Sequence, residues 1–166
     1  NDQFSKNGST VLTFSFPGTS DGNVKFIDNY DNWKTPDVNV FPFNDNQQNA
    51  ARLALTEWSK VANVTFVEVQ ENSGEVGELR FAFTDAPEIL DVWGWAGYPS
   101  THPSAGDIWV EASFKTDDQW QRSTAYNFSA LIHETGHALG LDHPHEGIDT
   151  LIVEEDFTHY TLMSYN

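Results

Sequence analysis

The stretch His133-Glu134-Thr135-Gly136-His137-Ala138-Leu139-Gly140-Leu141-Asp142-His143 decides how this chain is read. Histidines four residues apart on an α-helix project side by side from one face, at the spacing that a single tetrahedral zinc ion requires. His133 and His137 therefore supply two ligands from one helix. Glu134 stands one step round that helix, where its carboxylate reaches a water on the ion without becoming a ligand, which is the position of a general base. Gly140 tolerates the positive φ that ends a helix sharply, so the chain turns back and His143 closes the site as third ligand. Three neutral imidazoles leave zinc its double charge and one open position, which lowers the pKa of bound water to about 7 and polarises a carbonyl. Amide hydrolysis is the chemistry this arrangement favours. An ordinary helix with coincidental histidines is the plain alternative. Five fixed identities at this spacing arise by chance only about once in ten thousand chains of this length, so H-E-x-x-H-x-x-G-x-x-H is a specific signal.

The surrounding residues say what carries this motif. Tyr126 to Leu139 reads as its helix, with Phe128, Leu131, Ile132, Thr135 and Leu139 as the buried stripe. A longer helix is expected from Asp45, a plausible N-cap, to Ala62, with Ala50, Leu53, Ala54, Trp58, Val61 and Ala62 near one face. Val11 to Phe16 alternates with period two, as a half-buried strand does, and Pro17-Gly18 closes it. Val64 to Gln70 and Leu79 to Thr84 read as two neighbouring strands, Trp93 to Pro99 as a glycine-rich edge strand and Asp107 to Ala112 as the last. Residues 19 to 44 show no clear period and read as ordered loops. The expectation is an α+β fold in which a small mixed sheet is backed by two helices.

Length and composition narrow the function classes. The chain has 166 residues, 39% of them hydrophobic and 14% aromatic, enough to bury one core and too few for two comfortable domains. A single domain over 1–166 is expected, and it is expected to be a monomer. The formal charge of -17 would repel nucleic acid backbones and anionic lipids, so neither is expected as a partner. No apolar run is long enough to span a membrane, and Asn1-Asp2-Gln3 does not open a signal peptide. Without cysteine, any metal must sit on His, Asp, Glu or Tyr. Calcium is a second candidate cofactor at Asp21-Gly22-Asn23 and Asp28-Asn29-Tyr30-Asp31, but neither matches an EF-hand loop and solvated turns are the plainer reading. His102, His145 and His159 lack ligand spacing and read as surface or hydrogen-bonding residues, while Asp142 is a candidate to orient a histidine from behind.

Near the end stands Leu162-Met163-Ser164-Tyr165, which contains the only methionine. With the long zinc motif, this resembles the metzincins, whose motif is followed by a methionine turn beneath the metal. Within them the chain resembles the serralysin family through Pro144 after the third histidine, Tyr165 two residues beyond Met163, and the approach Glu155-Asp156-Phe157-Thr158-His159-Tyr160-Thr161. Astacins share the tyrosine but usually carry glutamate after the third histidine and depend on disulfides; matrixins lack the tyrosine. The likeness extends from Val11-Leu12-Thr13-Phe14-Ser15-Phe16-Pro17 through Trp58 to Phe66 and on to the end, with 19 to 44 matching least.

The resemblance implies a metzincin-like, mainly parallel, twisted five-stranded sheet and a secreted, extracellular zinc endopeptidase acting on protein or peptide substrates. It implies that Tyr165 is a movable zinc ligand whose hydroxyl stabilises the oxyanion, that Met163 packs beneath the site, and that Trp93 to Pro99 forms the upper rim of the cleft. Trp93, Trp95 and Tyr98 are candidates to shape subsites there, although strand aromatics more often belong to the core. Serralysins continue past the methionine turn into a further helix and calcium-binding repeats, whereas this sequence stops at Asn166. The competing readings are a noncatalytic zinc- or calcium-binding module and an inactive fragment of a protease.

Overall fold

The computed structural model describes residues 5–6, 9–18, 39–71, 75–86, 91–117, 119–120, 126–148 and 150–166. Both candidate calcium segments, Asp21-Gly22-Asn23 and Asp28 to Asp31, lie outside the described residues. Alternation from Leu12 to Phe16 does build a strand, β2 (Ser9–Ser15), in which Phe14 is buried and Leu12 half-buried; Phe16, just beyond it, is also buried. A two-residue strand, β1 (Ser5–Lys6), pairs antiparallel with its start.

The helix α1 (Asp45–Val61) begins one residue earlier than Asp45 would cap it. Asn44 is the N-cap: its Oδ1 accepts from the Gln47 backbone N–H at 3.1 Å, while the Gln47 side chain accepts from the Asn44 N–H at 2.8 Å. This reciprocal box satisfies two of the orphan donors of the first turn. The buried face is Gln47, Ala50, Ala51, Ala54 and Leu55, with Leu53 45% and Val61 79% exposed, so the apolar face lies further round the helix than the sequence predicts. Small alanines let α1 sit close, and Trp58 donates from Nε1 to the Ile132 carbonyl at 3.1 Å, tying α1 to the second helix.

The strands β4 (Val64–Glu68), β5 (Leu79–Thr84), β6 (Gly94–Ala96) and β7 (Asp107–Glu111) complete a path β4-β2-β5-β7-β6. The first four run parallel and β6 is antiparallel, giving the expected mainly parallel five-stranded arrangement. β4 and β5 are not neighbours, because β2 lies between them with Thr10 opposite Val64 and Phe14 opposite Leu79. A parallel pair needs a crossover, and the short segment between β4 and β5 takes the chain past β2 instead of folding back as a hairpin. The end of the presumed loop region forms β3 (Val40–Pro42), antiparallel to β5, so the sheet has seven strands among the described residues. β6 is shorter than the Trp93 to Pro99 run, but it occupies the edge position expected of it.

The core is aromatic. Phe16, Phe43, Phe81 and Phe83 from the sheet side meet Trp120 and Trp93, with Phe43 4.7 Å from Phe83 and 5.7 Å from Trp120 between ring centroids. Two ion pairs fix the frame. Arg80 grips Glu71 bidentately at 2.7 and 2.8 Å with both side chains buried, and Ser15 on β2 donates to the same carboxylate at 2.7 Å. Arg52 binds Glu68 in the same manner, pinning α1 to β4. Trp93 Nε1 donates to Asn127 at 2.9 Å, which in turn donates to Asp117, anchoring the start of the second helix, α2 (Tyr126–Ala138), beside β6. Among the described residues no helix is long and apolar enough to cross a membrane.

Candidate metal centre

Helix α2 buries Phe128 and Leu131 on its core side and brings His133, Glu134 and His137 into the interior as well. It ends in a Schellman turn: Leu141 N–H bonds the Gly136 carbonyl at 3.0 Å and Gly140 N–H bonds the His137 carbonyl at 2.9 Å, with Gly140 at φ 101°. The left-handed residue makes this reversal, and an L side chain would strain there. Leu139 falls at the cap and is only partly buried.

The reversal brings His143 onto the helix pair. The three Nε2 atoms form a triangle with edges of 3.1 Å (His133 to His137), 3.1 Å (His137 to His143) and 3.2 Å (His133 to His143). Tetrahedral zinc with N ligands at 2.0–2.1 Å would separate them by about 3.3–3.4 Å, so the triangle is within about 0.3 Å of that geometry. Each outer nitrogen meets an acceptor: His133 Nδ1 the Leu162 carbonyl at 2.8 Å, His137 Nδ1 the Leu141 carbonyl at 2.7 Å, and His143 Nδ1 the Glu146 carboxylate at 2.9 Å. Those acceptors assign the ring protons to Nδ1 and leave three lone pairs facing one another. A cation among them resolves that repulsion, so the donor set fits a zinc ion. Burial holds the His133 and His137 pKa values below the ordinary histidine range, favouring the neutral rings that ligation needs.

Glu134 is 9% exposed, and burial pushes its pKa up to about 7. It shares with His133 and Tyr165 a cleft of about 730 Å³, walled by Trp93 and Gly94 on one side and by Leu162 and Ser164 on the other. Tyr165 stacks on His133 with ring centroids 5.3 Å apart, and its hydroxyl lies 2.5 Å from His143 Nε2, so it reaches the metal edge of the triangle. Met163 is buried beneath the helix, and a Cβ on Gly136 would lie only 2.6 Å from its sulfur. Glycine is required there because the thioether occupies the space a side chain would fill.

The rim residues divide. Trp93 is a core residue that also borders the cleft, Trp95 packs with Ala82 and Trp109 in a separate cluster, and Tyr98 turns its hydroxyl to His137 Nδ1 at 3.1 Å. His102 bonds Ser104, and His159 packs at a tilt against Tyr160. His145 stands nearer than its spacing suggests: it stacks on His143 with an interplanar angle of 3° and bonds Asp156. Asp142, the candidate to orient a histidine from behind, is not among the hydrogen-bond partners of the three outer nitrogens, which are Leu162, Leu141, Tyr98 and Glu146. Glu146, three residues after His143, is the supporting side chain that the sequence reading misses; the i, i+3 spacing of a carboxylate from a ligand histidine is the signal for it.

The matrixin family model of M10 peptidases matches residues 39–153. Its match stops before Met163 and Tyr165. Among curated proteins, Serralysin A of Dickeya chrysanthemi is 30% identical over 172 residues, covering 99% of this chain and 35% of that protein. Serralysin B of the same organism is 32% identical over 79% of this chain and 30% of its own length, and Serralysin of Proteus mirabilis 32% over 76% and 30%. The chain thus spans about a third of the length of these relatives. Three converging imidazoles on a metzincin framework, the M10 match and the serralysin likeness agree: the chain belongs to the M10 family of zinc metalloproteases, as a serralysin-like metzincin domain.

Proposed function

We propose that this domain is a secreted zinc endopeptidase that hydrolyses peptide bonds of extended protein substrates. The observation that carries the reading is the triangle of Nε2 atoms, 3.1–3.2 Å on a side, beside the cleft that His133 lines together with the buried carboxyl of Glu134. His133, His137 and His143 would hold the ion. Zinc, when bound, supplies a Lewis acid that lowers the pKa of water to about 7 and polarises a carbonyl.

The chain's own groups do the rest. Glu134 takes the proton of the attacking water and returns it to the departing amine; a pKa near 7 suits both directions of that transfer. The Tyr165 hydroxyl, beside His143, would donate to the carbonyl oxygen as charge develops and is placed where it would hold the ion as a further ligand. The outer edge of β6, which among the described residues has β7 as its strand partner, would offer backbone pairing to an extended peptide above the site. The resemblance to serralysins supports secretion, and the -17 charge argues against nucleic acid or anionic membranes as partners.

Glu134→Ala tests the reading. The variant is expected to bind one zinc per chain and to lose cleavage of an unfolded protein substrate. Persistent full cleavage rejects Glu134 as the base, and a wild-type chain that binds zinc without cleaving anything rejects the protease.

A further inference from the structure

We infer that Asp156 is a positioning residue of the cleft, which sets the Tyr165 hydroxyl by holding Asn166 behind it and His145 beside it. The inference rests on the role given to Tyr165 above and deepens it.

Asp156 follows a single 3₁₀ turn (Val153–Glu155), between the third histidine and the methionine turn, and is 7% exposed. Its Oδ2 accepts from Asn166 Nδ2 at 3.2 Å and meets His145 Nδ1 at the same distance. A carboxylate oxygen accepts, so the His145 ring carries a proton at Nδ1. Asp156 Oδ1 is buried and has no hydrogen-bond partner among the described residues. An acceptor left bare in the interior costs stability, and an apolar side chain in its place would escape that loss. The carboxylate is therefore explained by what its other oxygen holds.

Both groups on that oxygen bear on Tyr165. The Tyr165 side chain is 67% exposed, so packing steadies its ring on few sides and the hold comes from its neighbours in the chain. Ser164 before it is buried, and its Oγ accepts from the Asn166 N–H at 3.1 Å. Asn166 after it accepts from the Thr158 N–H at its carbonyl at 2.7 Å, and Asp156 adds a grip on its side chain. From this anchored peptide the Tyr165 ring reaches over His133 and brings its hydroxyl 2.5 Å from His143 Nε2. His145 stands alongside, parallel to His143 with centroids 5.6 Å apart and 6.2 Å from the Tyr165 ring. One carboxylate oxygen thus joins the base of Tyr165 to the ring beside the third histidine. A tyrosine side chain is long, so a small rotation at its base moves the hydroxyl most, and a misplacement of about 1 Å at a reacting centre can cost about 100-fold in rate.

The test uses Asn166→Ala, Asp156→Ala and Tyr165→Phe, singly and in pairs, in the full chain. Steady-state cleavage of a peptide by the zinc-loaded protein separates kcat from KM. In the zinc-free protein, NOEs between the Tyr165 and His133 rings report how the tyrosine is seated, and thermal unfolding checks the fold. Asn166→Ala is expected to lower kcat about tenfold with KM unchanged, short of the 100-fold or more lost with an oxyanion donor, and to weaken the ring NOEs. Asp156→Ala should lower kcat at least as far, and Asn166→Ala should add nothing to it. In the Tyr165→Phe background neither substitution should lower kcat further, because no hydroxyl is left to place.

Unchanged kcat and NOEs in a folded Asn166→Ala variant overturn the inference, as does a loss that persists in full in the Tyr165→Phe background. Should Asp156→Ala not fold, Asn166→Ala decides on the same readouts. A Tyr165→Phe variant with wild-type kcat removes the role of Tyr165 and this inference together, whereas a crippled Tyr165→Phe beside an unaffected Asn166→Ala removes the inference alone. A wild-type chain that cleaves nothing rejects the protease, and the ring NOEs then decide the placement by themselves.

Discussion

Gly136→Ala is the perturbation whose sign the structure decides. In an open helical position, alanine would stabilise the chain by about 1 kcal/mol over glycine. Here the new Cβ would stand 2.6 Å from Met163 Sδ, 3.1 Å from Trp58 Cζ2 and 3.3 Å from Met163 Cε, against about 3.5–4.0 Å for an unstrained contact. The sulfur must retreat by about 1 Å into packed surroundings, and overpacking of this kind costs about 1–3 kcal/mol. At about 2–4 °C per kcal/mol for a domain of this size, Tm should fall by about 2–12 °C. The damage extends to the site, because Leu162, next to Met163, supplies the carbonyl on His133 Nδ1 at 2.8 Å. Calorimetry with and without zinc measures both effects. Met163→Ala in the same chain removes the obstacle, so the double variant should be more stable than the two single losses added together. A Gly136→Ala chain that melts above wild type would refute the seating of Met163 under α2.

Further outcomes follow from other groups. Glu71→Ala takes the bidentate carboxylate from the buried Arg80 guanidinium, 5% exposed, and should cost about 3–5 kcal/mol in denaturant unfolding, whereas an unchanged midpoint would mean that water or other groups satisfy the guanidinium. Asp107 is 1% exposed, its Oδ2 has no hydrogen-bond partner among the described residues, and burial raises its pKa well above the usual carboxylate range. The folded state therefore holds its proton more tightly than the unfolded one, and stability is lost as pH rises from the unfolded value near 4 through the raised one. Asp107→Asn should raise Tm more at pH 8 than at pH 4.5; equal gains at both would contradict this. Zinc at 100 times its Kd should stabilise the fold by about 2.7 kcal/mol, an effect that His143→Ala should greatly reduce in the same melting assay. Asn44→Ala removes one half of the capping box and should cost about 1 kcal/mol with zinc affinity unchanged.

The site was legible where its geometry is local. Helical periodicity alone brings His133, Glu134 and His137 together, and Gly140 with the Schellman bonds returns His143, all within eleven consecutive residues. Strand order was less legible, because the alternation of β4 reports only its more and less exposed sides, β5 is buried along its whole length, and neither pattern says which strand lies between them. The face of α1 was misplaced because alanines at 50, 51 and 54 carry little periodic signal, while Leu53 and Val61 stay in solvent. Tyr98 reaches His137 from 39 residues upstream, a contact that depends on the edge position of β6 and that no spacing within the motif encodes.

Two of the three rings are gripped by peptide oxygens, those of Leu162 and Leu141. The side chains at these positions are 37% and 42% exposed, and most replacements there would fit without disturbance. A conventional mutational scan would score both sites as silent, since every ordinary amino acid brings the same oxygen. Only exchange of the local amide for an ester, which weakens that oxygen as an acceptor, would expose how far the centre depends on atoms that evolution cannot vary.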